Sequence, residues 1–123
     1  MSRIENCGID LVRSKWSYLL WGVPVLLLGV GTWVGGPLRA VSWPLSFAVM
    51  GGACRANARG CKRTHCHATG PLYLLAAAAS LASPWWSALP ALYVWIGATT
   101  ALGTLAAYGW EWSHGEYLEP PIR

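Results

Sequence analysis

The residues whose types and spacing could do chemistry lie together in one stretch, Cys54-Arg-Ala-Asn-Ala-Arg-Gly-Cys-Lys-Arg-Thr-His-Cys-His67. It holds three of the four cysteines, two of the three histidines and four of the nine basic residues, with no acidic residue among them. Thiolate and neutral imidazole are the ligands that soft and borderline metals take, so the stretch predicts a site for a zinc, copper or mercury ion. Its candidate ligands are Cys54, Cys61, His65, Cys66 and His67. Cys54 and Cys61 are seven residues apart and share a face if the segment is helical, while His65 and His67 share a side if theirs is extended. The surrounding arginines and lysine favour thiolate over thiol. Two other readings compete. In one, Cys61 and Cys66 form a reversible disulfide; in the other, the cysteines are small apolar fillers and the histidines cap helix ends. The chain has no C-x-x-C and no C-x-x-C-H, which removes the usual zinc-knuckle and covalent-haem signatures.

The elements that must position this stretch are apolar. Of 123 residues, 54% are hydrophobic, 11% are charged and nine are tryptophan, with a mean hydropathy of +0.37. That composition predicts lipid as the solvent for much of the surface. The resulting expectation is an all-α integral membrane protein forming a single membrane domain. Four short transmembrane helices, at about 16–34, 43–59, 70–84 and 88–108, would make an antiparallel bundle. Gly35 to Ala40 reads as a turn, Ser42 as a helix cap with Pro44 in the first turn, Gly60 as a helix stop and Thr69-Gly-Pro71 as a second start. Residues 54–67 then become a loop, and Pro84 to Pro90 an aromatic turn. Pro24 predicts a kink in the first helix, Gly31 with Gly35 a small-residue contact surface, and Gly97, Ala101, Gly103 and Ala107 a packing edge on the fourth.

With four spans, eight basic residues share a side with both termini, and Arg39 stands alone on the other. The positive-inside rule then places the termini, the loop and all four reduced thiols in the cytoplasm of a bacterial-type inner membrane. The net charge of +4 is read as orientation and not as nucleic-acid binding. The partners expected are the lipid bilayer and other membrane protein subunits. In size and general plan the chain resembles the small bacterial membrane carriers for mercuric ion, which also combine a few helices with cysteines. Those carry a cysteine pair inside the first helix, where this chain has none, so the likeness transfers no residue role.

Chemistry beyond the loop is sparse. Glu111-Trp-Ser-His114 has the Glu-x-x-His form of di-iron bundles, but in a single copy, and Glu111, Glu116 and Glu119 read as ion-pair partners of the basic loop. No acid/base pair, nucleophile constellation or phosphate loop is present to support turnover by the chain alone. The functions expected are metal binding for transport or delivery, a non-catalytic accessory subunit of a larger membrane complex, or a thiol redox switch.

Overall fold

The structure is a computed structural model that describes residues 10–82 and 91–117. Four α-helices make up the architecture: α1 (Val23–Val34), α2 (Gly36–Cys61), α3 (Thr64–Ala82) and α4 (Leu92–His114). A π-helical turn at Tyr18–Gly22 leads directly into α1. The described residues contain no strand, only one isolated bridge between Arg63 and Tyr117. The expected all-helical class with four helices is therefore present.

The membrane assignment is corrected. Among the described residues no helix is long and apolar enough to cross a membrane. The first expected span is divided between the π turn and α1, whose 12 residues reach only about 18 Å. The length of α2 is gained by taking in Arg39, Arg55, Asn57 and Arg59, and α3 begins in Thr64-His-Cys-His. Glu111 and His114 lie inside α4. The multi-pass inner-membrane location, the transmembrane spans and the cytoplasmic placement of both termini fall with this finding.

The helix limits also differ from expectation, for local reasons. Gly35 and Gly36 both take positive φ, 73° and 54°, and concentrate the reversal between α1 and α2 into one tight corner. Pro37 therefore occupies the first turn of α2, and Ser42 and Pro44 lie within the helix, not at its start. Gly60 does not stop α2. The left-handed residue is Lys62, at φ 53° and ψ 37°, whose N–H bonds the Ala58 carbonyl at 3.0 Å. Chain reversal at Lys62 and Arg63 lets α3 begin at once, so the expected loop at 54–67 is mostly helix and Pro71 is internal to α3. Pro24 follows without a break on the π-helical turn Tyr18–Gly22, so it lies inside a continuous helical segment that changes from π to α form just before it. The expected aromatic turn at 84–90 lies outside the described residues.

The helices are antiparallel neighbours, as their contacts show. Gly31 meets Ser42 and the Trp21 side chain reaches Cys54, pairing the first helical segment with α2. Gly51 meets Leu74 and Gly70 meets Arg55 between α2 and α3; Gly103 meets Leu72 between α3 and α4. The core follows the inward face of α2: Trp43, Phe47, Met50, Cys54 and Ala58, joined by Cys66, Tyr73, Ala76 and Ile96. Trp43 anchors it by edge contacts to Phe47 and Tyr93 and by donating its indole N–H to Thr32 Oγ1 at 3.2 Å. Large apolar side chains also remain exposed, among them Trp33, Tyr18, Trp95 and Trp112.

Candidate functional site: a buried dithiol beside a histidine and a charged network

The corner between α2 and α3 is the chemical centre of the molecule. Cys54 and Asn57 lie one turn apart on α2, and His65, Cys66 and Thr69 lie in the opening turns of α3. Cys54 and Cys66 are free, buried thiols, 1% and 0% exposed, near enough for each to perturb the ionisation of the other. Thr69 Oγ1 lies 3.5 Å from Cys54 Sγ and 2.9 Å from the His65 carbonyl. The Asn57 amide nitrogen lies 3.6 Å from Cys66 Sγ.

This environment drives the two thiols apart electrostatically. Hydrogen bonding from Cys66, reinforced by Thr69 and Trp21, outweighs burial and brings the Cys54 pKa down to about 7. Cys66 moves strongly upward, first because it is the donor to Cys54 and then because it is buried. The pair thus favours a state with one proton between two sulfurs.

His65 stands beside Cys66, with Nε2 at 3.4 Å from Cys66 Sγ. Its Nδ1 lies 2.5 Å from Glu111 Oε2, which also accepts the His65 backbone N–H at 3.0 Å. A carboxylate can only accept, so Nδ1 carries the proton and Nε2 is left as the acceptor facing the Cys66 thiol. Tyr108 stacks on the imidazole with ring centroids 4.3 Å apart, and burial pushes its own phenol up to about 12.

A charged network fixes this arrangement. Arg63, at the corner, bonds Asp10 at 2.7 Å and Glu111 at 3.1 Å, and all three side chains are nearly buried. Burial tends to raise the Asp10 pKa, but bonds from Arg63, Asn57 and the Val12 N–H more than offset it, so the carboxyl lies below its usual value. The two carboxylates likewise hold Arg63 more firmly protonated than usual. Asn57 Oδ1 accepts the Leu11 N–H, its amide nitrogen reaches Asp10, and the Tyr117 hydroxyl donates to Asp10. Thr64 bonds the carbonyls of Gly115 and Glu116 through its hydroxyl and N–H. Residues before α1 and after α4 are thereby tied to the α2–α3 corner.

Of the five residues singled out by sequence, the fold brings Cys54, His65 and Cys66 together. Cys61 is held in a disulfide, unlike the reduced thiol expected, and His67 is exposed. Among the described residues, no group of three or more His, Cys, Asp or Glu side chains is arranged to hold a metal ion. Glu111 pairs with Arg63 of the basic stretch as expected, though buried within the site; Glu116 pairs instead with Arg13, before α1, and Glu119 lies outside the described residues.

Sequence reasoning missed Asp10, Asn57, Thr69 and Tyr108. Asn57 carried a signal: it falls between Cys54 and Cys61 on the same helical face, where a buried amide needs partners. Asp10 and Tyr108 carried none. Comparison with family models, with curated proteins and with solved structures finds no match to the chain.

Proposed function

We propose that the protein binds a soft, thiophilic metal ion between Cys54 and Cys66, as Cu(I) or Hg(II), for transfer to or from a partner. The observation that carries this reading is two free thiols buried in one cluster, with an imidazole nitrogen 3.4 Å from one of them. Two thiolates satisfy the low coordination number of these ions, whereas a structural zinc site needs four ligands. Of the three metals expected from the sequence, zinc therefore fits this donor set least well.

For both sulfurs to serve as ligands, the proton they share must leave. Cys54 has the lower pKa and loses its proton readily near neutrality. His65 Nε2, 3.4 Å from Cys66 Sγ, is the nearest acceptor for the Cys66 proton, and Glu111 fixes the ring at Nδ1. His65 acts as proton acceptor and the sulfurs as ligands. Arg63 and Asp10 hold Glu111 and the corner in register.

Competition against a chromogenic Cu(I) chelator under reducing conditions tests the proposal. One ion per chain is expected in the wild type, with loss of at least a hundredfold in affinity in Cys54→Ser and in Cys66→Ser. His67→Ala, at an exposed position, should bind as the wild type does. No binding by folded wild type of either Cu(I) or Hg(II) would overturn the reading.

The burial of two free thiols in one cluster also supports a second reading, reversible closure of a Cys54–Cys66 disulfide. Hydrogen peroxide would supply the oxidant. Cys54 thiolate attacks one oxygen and releases hydroxide, which solvent protonates, to give a sulfenic acid; the Cys66 thiol then attacks the sulfenic sulfur, its proton leaving with the hydroxyl as water as the disulfide forms. Mass spectrometry after peroxide and alkylation should show a loss of two mass units between these cysteines. Both remaining alkylatable would remove this reading.

A further inference from the structure

The described residues offer the proposed ion two thiolates and no third His, Cys, Asp or Glu side chain in position to complete a site. A third soft donor of another kind stands one helical turn away. Met50 is four residues before Cys54 on α2, on the same inward face, and is 3% exposed within the cluster that contains Cys54 and Cys66. Residues at that spacing have Cβ atoms about 5–6 Å apart, within reach of a three-torsion thioether chain. Met1 is the only other methionine of the chain.

The next turn of the same face holds another polar atom. Ser46 is 1% exposed, and its hydroxyl has no hydrogen-bond partner. Ser46, Met50 and Cys54 thus place an oxygen, a thioether sulfur and a thiol sulfur on successive turns of one buried helix face. Leu, Ile or Ala at position 50 would fill such a core without offering a lone pair.

We infer that Met50 supplies a third sulfur to the ion held by Cys54 and Cys66, so that the site prefers a monovalent soft cation, Cu(I) or Ag(I), over Hg(II). This rests on the dithiol reading above and deepens it. A neutral thioether adds a donor without adding charge, which suits a monovalent ion already facing two thiolates. Hg(II) is satisfied by the two thiolates alone and gains little from it.

The test uses the whole chain, with Met50→Leu as a volume-conserving change that costs the core little. Cu(I) affinity by chelator competition should fall at least tenfold, and Hg(II) affinity should change by less than twofold. X-ray absorption of the Cu(I) complex should count three sulfurs in the wild type and two in the variant. Equal Cu(I) affinity in both proteins, or equal losses for Cu(I) and Hg(II), would overturn the role of Met50 while leaving the dithiol site standing. Absence of binding of either ion by the wild type would instead overturn both.

Discussion

Replacing Arg63 with Met should be the most damaging single change outside the helical core. Arg63 lies between Asp10 and Glu111, with side chains 7%, 11% and 4% exposed respectively. Removing one partner of a buried ion pair costs about 3–5 kcal/mol, because the remaining charge is left without compensation. Two carboxylates lose their cation here, but both keep other donors. Asp10 retains Asn57, Val12 and Tyr117, and Glu111 retains the His65 backbone and imidazole. The lower end of the range, about 3 kcal/mol, is therefore expected. For a chain of this size that corresponds to a fall of roughly 9–15 °C in Tm. Unfolding followed by circular dichroism at pH 7 and pH 4 measures it. The deficit should shrink at the lower pH, because the orphaned carboxyls take up protons and cease to be buried charges. Adding Asp10→Asn and Glu111→Gln to Arg63→Met should recover part of the loss at pH 7. A loss under about 1 kcal/mol, unchanged between the two pH values, would refute the view that this network holds the corner together.

Other consequences follow from single contacts. A methyl at Gly31 would run into the Ser42 hydroxyl and press on Arg39, so Gly31→Ala should cost about 1–3 kcal/mol in urea unfolding, with part restored by adding Ser42→Gly. Ser46→Ala removes a buried hydroxyl that lacks a partner, and the same assay should find it neutral or more stable by up to about 1 kcal/mol. The folded Asp10 pKa lies below its unfolded value of about 3.9. Its contribution is thus complete above that value and lost as pH falls through the folded one. Wild-type urea midpoints should drop below about pH 4, by more than those of Asp10→Asn.

The helical class and the division into four helices could be read from apolar segments broken by Gly, Pro and charge. Their limits were less legible, because the decisive left-handed residue at the α2–α3 corner is Lys62, whereas Gly60 carries the sequence signal for a stop. Pro44 and Pro71 read as helix starts but lie within helices, since Gly36-Pro37 and Thr64 had already begun them. The membrane expectation let the second helix run through Arg55 and Arg59 with their charges turned to the lipid headgroups. The fold instead brings charge inward, where Arg63 and Glu111 meet in the interior. At the site, the gathering of Cys54, His65 and Cys66 was legible from residue type and local spacing. Asp10 and Glu111 come from segments 53 and 48 residues away from Arg63, and no local pattern joins them.

The measurement closest to the central claim is sulfur coordination in the ion-loaded protein. X-ray absorption of the Hg(II) complex, prepared from wild type, Cys54→Ser and Cys66→Ser, counts the sulfurs directly. One tightly held ion with two protein sulfurs is expected in the wild type, and that species should be missing from each variant. An ion held equally well after either substitution, or by oxygen and nitrogen alone, would contradict the assignment of the Cys54–Cys66 pair as its site.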